Sequence, residues 1–220
     1  KNLKKINNKF SNKNKIKFST HHLSHAASAF FPSPFKDAVI LTLDGVGEWA
    51  TSTIGLGNQN SIEIKQEINF PHSLGLLYSS FTYYLGFKVN SGEYKVMGLA
   101  PYGVPIYKNL IKKELLDLKS DGSYRLNMKY FDFSTGYKMI NENFEKLFQN
   151  KRRDSKKEKL KKFHMDIASS IQAVLEEVVL LICKYLKKKF KKDNLCLAGG
   201  VALNCVANGK ILKENIFKNI

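Results

Sequence analysis

The hydrophobic pattern of the first 90 residues predicts two amphipathic helices. In residues 20–31 (THHLSHAASAFF), apolar and small side chains continue to the end of the stretch. Thr20 is placed to cap this helix, and Pro32 ends it. Residues 74–85 (LGLLYSSFTYYL) place apolar side chains three and four positions apart, as on one face of a helix, and Gly86 follows as a stop signal. Each helix is therefore expected to bury one face.

Three stretches between these helices predict a meander of strands. Residues 38–44 (AVILTLD) form a continuous apolar run with β-branched side chains, which is typical of a buried strand, and a tight glycine turn is expected directly after it. Residues 49–57 predict a second strand. Residues 61–70 alternate between apolar and polar positions and complete the meander. Helices and strands in this order indicate the α/β class.

The second half of the chain is less regular until its last 60 residues. Residues 105–160 are charged and predict only a short helix and a hairpin. From Phe163 to Tyr185, apolar positions recur every three or four residues and predict a long amphipathic helix. Residues 195–212 (LCLAGGVALNCVANGKIL) then predict a strand, a Gly-Gly turn and a helix. That layout directs backbone N–H groups and a helix N-terminus toward an anion.

Composition indicates a globular protein without a membrane segment. Of the 220 residues, 43% are hydrophobic and 12% aromatic, and no apolar run approaches the length of a membrane span. Without an initiator methionine, and with an end inside a predicted helix, the sequence is expected to be a fragment of a longer protein. Cys183, Cys196 and Cys205 lie in apolar stretches without CxxC spacing, which favours reduced, buried thiols in the cytoplasm.

The net charge of +17 does not by itself identify a nucleic-acid-binding protein. Only three of the 36 basic residues are arginine, the side chain suited to bidentate recognition of phosphate or guanine. The lysines are concentrated in runs at 1–17, 151–162 and 184–192, which predict solvated segments and the polar face of a helix. We therefore expect no specific nucleic-acid partner and no membrane partner. The oligomeric state cannot be read from the sequence.

Three of the five histidines fall within the first predicted helix. His21 and His25 lie one turn apart on the same face and can share a metal ion, whereas His22 points elsewhere. Asp44 ends the buried strand, where open α/β sheets usually place their sites. Two imidazoles and one carboxylate leave coordination positions open, which favours Fe(II) or a similar divalent ion over structural zinc. The alternative is ordinary packing, with Asp44 in a glycine turn.

The glycine-rich stretches also have two interpretations on pattern alone. Residues 197–204 (LAGGVALN) fit either a nucleotide-binding turn or tight packing of a helix on a strand. Residues 92–103 (GEYKVMGLAPYG) could equally be a plain loop with Lys95 exposed. Neither stretch decides the function by itself.

Five segments in a fixed order resemble a known enzyme family. They are HHLSHAASAFFPSPF, LTLDGVGE, PHSLGLLYSSFTYYLGF, SGEYKVMGLAPYG and LAGGVALNCVANGKI. Together they closely resemble the O-carbamoyltransferases of the nodulation-protein and antibiotic-tailoring type. The resemblance extends from about Phe18 to Ile220 and is least distinctive in residues 105–160.

The resemblance implies a fold, a domain organisation and a reaction. The implied fold is a two-lobed, actin-like ATPase (ribonuclease H-like) domain, incomplete in this chain. On that basis residues 1–18 are a polar lead-in, 19–160 a portion of the first lobe, and 161–220 a long helix with the start of the second lobe. The implied enzyme makes carbamoyl-adenylate from carbamoyl phosphate and ATP and transfers the carbamoyl group to a hydroxyl of a small, sugar-like acceptor. The family forms the adenylate in a separate domain that this chain lacks, so the chain alone is expected to be inactive.

The resemblance also assigns site residues. His21, His25 and Asp44 match the family's iron ligands, and a further aspartate ligand comes from a later motif that this chain does not reach. The remaining implied positions are Glu93 and Lys95 for ribose and phosphate contacts, and Gly199, Gly200 and Asn204 for nucleotide binding. His25, Asp44 and Lys95 are the expected catalytic residues. His22 and His72 are weaker candidates for substrate contact, and His164 is expected to be structural.

Three rival functions stay open at this point. Proteins that transfer threonylcarbamoyl to tRNA share the fold, the histidine pair and an adenylate intermediate, and a basic chain would suit tRNA. Carbamoyltransferases of hydrogenase maturation carry zinc-finger cysteines, which are absent from this sequence. A non-catalytic homologue is the third possibility.

Overall fold

The computed structural model describes residues 17–220. Nearly all of the predicted lead-in at 1–18 therefore lies outside the described residues. The helices are α1 (His21–Phe30), α2 (Leu74–Tyr84), α3 (Glu93–Leu99), α4 (Lys108–Glu114), α5 (Glu142–Leu147), α6 (Lys162–Phe190) and α7 (Cys205–Lys213). The strands are β1 (Asp37–Gly47), β2 (Ala50–Asn58), β3 (Ser61–Asn69), β4 (Leu116–Leu118), β5 (Tyr124–Leu126) and β6 (Leu195–Ala198). The α/β class is confirmed.

A four-stranded mixed sheet in the order β3-β2-β1-β6 is the centre of the fold. The meander β1-β2-β3 is antiparallel, as its pattern predicts, and β6 adds to β1 in parallel. Even-numbered β1 residues, including Ala38 and Ile40, pack with Phe30 of α1 on one face. Odd-numbered β1 residues join the larger core formed with α2 and α6 on the other face. The alternation that defines a strand thus determines which helix each side chain meets.

Strand β1 continues past the glycine turn predicted after Asp44. Regular pairing with β2 is interrupted between Leu43 and Gly47 and resumes at the Gly47–Ala50 pair. The hairpin turn lies at Glu48, which has a positive φ of 63°. This irregular stretch is a bulge, and bulges bend a strand and redirect its side chains. Asp44 lies at the start of the bulge rather than in a terminal turn.

The segment between α3 and α6 contains the predicted short helix and hairpin, as α4 and β4–β5. Both of its ends are attached to the core. At the entry, the Val104 and Tyr107 amides donate to Asp166 Oδ1 (2.7 Å) and Ser170 Oγ (3.0 Å) of α6. At the exit, Arg152 Nε donates to the Tyr83 carbonyl (2.9 Å) and Arg153 Nε to the Leu85 carbonyl (2.6 Å). The predicted solvated run at 151–162 therefore contains a buried arginine, Arg153.

The long amphipathic helix predicted from Phe163 is confirmed as α6, whose 29 residues bury one face against α2 and the sheet. Its last turn is lysine-rich, which complements the negative C-terminal end of the helix dipole. Within residues 17–220, no helix combines the length and the apolar content that crossing a bilayer requires.

The prediction of three buried cysteines is only partly right. Cys183 and Cys196 are buried, and burial raises the pKa of the Cys183 thiol to about 12. Cys205 is exposed, because it opens α7 at the surface, and its Sγ lies 3.8 Å from Met97 Sδ. All three thiols are free.

Candidate metal centre and adjoining cleft

Helix α1 and the bulge of β1 bring His21, His25 and Asp44 together. Asp44 Oδ2 lies 2.7 Å from His21 Nε2 and 2.9 Å from His25 Nε2. The two imidazoles are one helical turn apart, with ring centroids separated by 4.6 Å. Asp44 is the even-numbered position that follows Ile40 and Thr42 on the α1 face of the strand. Helical and strand periodicity therefore converge on one point, as the i, i+4 spacing predicts.

His22 anchors α1 to the sheet and takes no part in this cluster. Its Nε2 donates to the Ala50 carbonyl (2.9 Å), so in the neutral ring Nδ1 accepts from the Thr42 hydroxyl (2.6 Å). Desolvation by burial lowers the pKa of His22 and favours this neutral form. Both ring nitrogens are occupied, which leaves no free nitrogen for the substrate contact considered from the sequence.

The second oxygen of Asp44 is held by backbone amides. Oδ1 accepts from the Gly45 N–H (2.8 Å) and from the Gly200 N–H (3.3 Å), while Oδ2 faces the two histidines. Burial acts to raise the pKa of Asp44, but these four hydrogen bonds outweigh burial and lower it to about 2. The carboxylate is therefore ionised at neutral pH, as a metal ligand must be.

The donor set fits a divalent cation. The three donor atoms all lie within 4.8 Å of one another. Two donors bound at right angles to one ion, each about 2.1 Å from it, are about 3.0 Å apart, close to the two histidine–aspartate separations. His21 is 41% exposed and His25 31%, so one side of the cluster is open to further ligands. Metal binding by these residues stays a prediction.

Two glycines allow the close packing around the cluster. A Cβ atom on Gly47 would lie 2.2 Å from Cδ2 of His21, and one on Gly75 would lie 2.6 Å from the Asp44 carbonyl oxygen. Ser73, the residue before α2, donates from Oγ to the carbonyls of Asp44 (3.1 Å) and Gly45 (2.6 Å). The bulge is thus fixed by α1 on one side and by the start of α2 on the other.

The Gly-Gly turn reaches the same carboxylate from β6. Gly199 has a φ of 94°, and a Cβ atom there would lie 2.3 Å from the Leu43 carbonyl oxygen. A 3-10 turn at Gly200–Leu203 follows, and α7 begins only at Cys205. The sequence predicts a helix directly after the glycines, whereas in the structure the 3-10 turn separates Gly199 from α7. This turn places the Gly200 amide against Asp44.

A cleft of about 400 Å³ opens beside Asp44 on the side away from the histidines. It is bounded by the bulge, α2, α3, α6 and the turn that follows β6. The residues that line it are Asp44, Gly45, Gly75, Tyr78, Ser79, Asn90, Ser91, Glu93, Tyr94, Met97, Leu175, Gly200, Val201, Leu203 and Asn204. Four of the residues predicted for the site, Asp44, Glu93, Gly200 and Asn204, therefore line one cavity.

The side chains of Glu93 and Asn204 already have partners within the protein. Glu93 Oε1 accepts from Ser79 Oγ (2.8 Å) and the Asn90 amide (3.0 Å), and Oε2 accepts from the Gly92 amide (3.1 Å). Asn204 Oδ1 accepts from the Ala207 amide (3.0 Å) and caps α7. The surface of the cleft is mainly apolar.

Lys95 is not brought to the cleft. Residues 92–103 form α3 and a 3-10 turn rather than a plain loop. On α3 the cleft-lining positions are Glu93, Tyr94 and Met97, whereas Lys95 points to solvent, with its ammonium 5.9 Å from the Phe87 and Tyr94 ring centroids. Residues two positions apart along an α-helix differ by about 200° around its axis, so Glu93 and Lys95 face different sides of α3 although the sequence groups them together.

The two remaining histidines have local structural contacts. His72 Nδ1 accepts from the Leu126 amide (3.2 Å), and burial lowers the pKa of His72. His164 Nδ1 accepts from the Lys161 amide (2.9 Å) at the start of α6, in agreement with the structural role expected for it. Neither ring is among the groups that line the cleft.

Three polar residues at or below the floor of the cleft are not predicted from the sequence: Tyr78, Gln172 and Glu176. All three are buried and joined by hydrogen bonds. A signal was present, because Gln172 and Glu176 lie four residues apart within the apolar face of the long helix. Buried polar residues at such positions need partners, and a repeat at i, i+4 indicates a shared one.

Comparison with known proteins connects this site to one family. Residues 2–220 match the family described as "Carbamoyltransferase N-terminus". An uncharacterized protein of Synechocystis sp., sll1178, is 60% identical over 203 residues, which cover 92% of this chain and 33% of that protein. The nodulation protein NolNO of Sinorhizobium fredii is 37% identical over 94% of this chain and 28% of its own length. NolO of Bradyrhizobium diazoefficiens is 34% identical, over 91% of this chain and 34% of its own length. The chain thus spans about a third of these relatives.

Proposed function

Since this chain belongs to the carbamoyltransferase family, we propose that the whole protein is an ATP-dependent O-carbamoyltransferase. In the proposed reaction, carbamoyl phosphate, ATP and one water molecule yield carbamoyl-adenylate, with phosphate and pyrophosphate as the leaving groups. A hydroxyl oxygen of a small, sugar-like acceptor then attacks the carbamoyl carbon. The bond from that carbon to the AMP oxygen breaks, AMP leaves, and the hydroxyl proton passes to a base.

One observation carries the proposal: Asp44 belongs to both the histidine cluster and the cleft. Its Oδ2 faces His21 and His25, and its Oδ1 accepts from Gly200 at the edge of the cleft. A nucleotide in the cleft would therefore lie next to the cluster. This contiguity is what transfer of a group from an adenylate requires of a cation site and a nucleotide site.

The residues of this chain have distinct tasks in the proposal. His21, His25 and Asp44 hold a divalent cation, for which we propose iron. When bound, the cation supplies Lewis acidity toward the carbamoyl or phosphate oxygens. Gly199 and Gly200 let the backbone approach the nucleotide closely. Asn204 and Glu93 shape the cleft wall, and a ribose hydroxyl can add to the contacts of the Glu93 carboxylate.

Lys95 has no role in this scheme, because its ammonium faces solvent away from the cleft. We further propose the actin-like, two-lobed fold for the whole domain, consistent with the order of its mixed sheet. We also propose a cytoplasmic location, where ATP is available as a substrate. Catalysis as a whole is assigned to the full-length protein, of which this chain is about a third by comparison with its relatives.

The matched family favours carbamoyl transfer over the tRNA alternative, since its description names carbamoyltransferases. The charge of +17 remains the one feature that would suit tRNA. Binding of tRNA that weakens steeply with salt concentration, combined with failure to use carbamoyl phosphate, would restore that alternative.

The proposal is tested in the full-length protein with His25→Ala. This variant should lose at least a thousandfold in carbamoyl transfer, about 4 kcal/mol, because removal of one donor largely empties the cation site. Carbamoyl-phosphate-dependent exchange between pyrophosphate and ATP should persist, since it reports adenylate formation elsewhere in the protein. Ser28→Ala, at an exposed position one turn along α1, is the matched control.

Two results would contradict the proposal. Loss of both activities in a folded His25→Ala protein would show that adenylate formation and transfer are not divided between two sites. Full transfer by a metal-free His25→Ala protein would remove the histidine cluster from the reaction.

A further inference from the structure

A buried polar network forms the floor of the cleft, and Gln172 of α6 is its centre. The side chain is 4% exposed and does not line the cavity. Its Oε1 accepts from the Tyr78 hydroxyl (2.9 Å) and from Asn204 Nδ2 (2.9 Å). Its Nε2 donates to Glu176 Oε1 (2.8 Å) and to Asn204 Oδ1 (3.0 Å). All four hydrogen-bonding positions of the amide are therefore used.

The neighbouring groups determine the orientation of both amides. The Glu176 carboxylate is paired with the Lys210 ammonium and accepts hydrogen bonds, so the Gln172 atom that faces it is the nitrogen. The Ala207 N–H only donates, so the Asn204 atom that faces it is the oxygen. With both orientations fixed, Gln172 and Asn204 form a reciprocal amide pair. Rotation of either amide by 180° would oppose two donors or two acceptors.

This amide pair joins three elements that surround the cleft. Tyr78 lies on α2, Gln172 on α6, and Asn204 at the end of the turn that follows β6. At its other end the same turn carries the Gly200 N–H that donates to Asp44. The turn, residues 199–204, is thus held at both ends, by Asp44 and by Gln172. An ion pair between Lys210 and Glu176 secures α7 to α6 separately.

We infer that Gln172 is a positioning residue that fixes the distance between the 199–204 turn and Asp44. It acts through Asn204 and touches neither the cation donors nor the space inside the cleft. The consequence for nucleotide affinity rests on the proposed function, whereas the position of the turn does not. Apolar replacement of Gln172 leaves the amide of Asn204 without its partner in a buried place, which frees the turn to move.

The test compares Gln172→Leu with the unmodified protein by hydrogen–deuterium exchange of backbone amides. Exchange in residues 199–204 should become at least tenfold faster, while the amides of β1 and β2 keep their protection. Gln66→Leu is the matched control, because within residues 17–220 the Gln66 amide is hydrogen-bonded to the Lys189 ammonium at the surface and has no hydrogen bond to the turn. The control should leave exchange in the turn unchanged. A folded Gln172→Leu protein with normal protection in the turn would overturn the inference.

A second variant keeps the test decisive if the leucine variant does not fold. Gln172→Glu retains the side-chain size and the two accepting contacts but cannot donate, and it places a like charge beside Glu176. It should accelerate exchange in the turn. The double variant Gln172→Glu with Glu176→Gln restores one donor–acceptor contact and should recover part of the protection. Equal exchange in the unmodified protein, in Gln172→Glu and in the double variant would overturn the inference.

ATP titration separates this inference from the proposed function. In Gln172→Leu, the Kd for ATP should rise at least tenfold, while affinity for Mn²⁺, used as a probe of the histidine cluster, changes less than threefold. Faster exchange with an unchanged Kd for ATP supports the positioning role and counts against the cleft as the nucleotide site. Unchanged exchange with a raised Kd counts against the positioning role.

Discussion

The two regions that meet at Asp44 use their polar side chains in opposite ways. On the α1 side, His21 and His25 direct their Nε2 atoms at one carboxylate oxygen and remain partly exposed. On the cleft side, Glu93 and Asn204 are hydrogen-bonded to neighbouring groups of the protein. The first region has the arrangement expected of an incomplete coordination shell, and the second is a scaffold of hydrogen bonds within the protein.

The difference indicates which substitutions should affect which ligand. In the cluster the side chains are the donors themselves, so each one removed should lower cation affinity directly. In the cleft the side chains hold the backbone in place, so a ligand there should depend on loop position and on available space. A residue that matches a family motif does not necessarily line the cleft, as the outward-facing Lys95 shows.

The largest effect is expected for Asp44→Asn, which acts on both regions. The amide keeps the size of the side chain but loses the negative charge and one acceptor. Affinity for Mn²⁺ should fall at least a hundredfold, and ATP affinity about tenfold through the weakened Gly200 contact. Isothermal titration of each ligand measures both. Loss of ATP affinity without loss of Mn²⁺ affinity would contradict the assignment of Asp44 to both regions, because Asp44 would then belong to the cleft alone.

An intermediate effect is expected for Gly200→Val. A Cβ atom at Gly200 would lie 3.1 Å from Asp44 Oδ1, so the added bulk should displace the turn and raise the Kd for ATP about tenfold, or 1.4 kcal/mol. Cation affinity should change little. Gly209→Ala, in α7 with no atom within 4 Å of the new Cβ, is the control and should stabilise the fold by up to about 1 kcal/mol. Unchanged ATP affinity in Gly200→Val would mean that the turn only packs.

The smallest effect is expected for Glu93→Gln. The new amide keeps one accepting oxygen and loses the contact with the Gly92 N–H, so the free energy of unfolding should fall by about 1 kcal/mol in a denaturant titration. The Kd for ATP should change less than it does in Gly200→Val. A larger change in Glu93→Gln than in Gly200→Val would show that a side chain, rather than the backbone, dominates nucleotide binding in the cleft.

The sequence alone predicts the cluster better than it predicts the cleft. His21 and His25 are related by one helical turn, and strand alternation places Asp44 on the face of β1 that α1 covers, so local periodicity indicates which side chains can meet. The reciprocal contact between Gln172 and Asn204 joins residues 32 positions apart and depends on how α6 packs under the turn. No local pattern contains that packing.

Short irregular elements account for the other differences. The bulge in β1 and the 3-10 turn after Gly199 each change the path of the chain by a few residues, which pattern rules for strands and helices do not detect. Thr20 shows the same limit. It occupies the cap position of α1 but makes no capping bond, and its carbonyl instead accepts from the Ser24 hydroxyl at 3.0 Å.

The fastening of residues 108–151 at both ends has a consequence for how the architecture tolerates changes of length. Asp166 and Ser170 hold the entry, and Arg152 and Arg153 hold the exit, so a change of length between them leaves this base in place. For a flexible loop, doubling the length adds only about 0.6 kcal/mol of closure entropy. The β4–β5 hairpin is itself attached to the core, since the Tyr124 hydroxyl accepts from the Leu74 amide (3.0 Å) and the Leu126 amide donates to His72. Insertions are therefore expected to be tolerated at the exposed turn 134–138, where they leave the sheet, the bulge and the carboxylate at its centre in register.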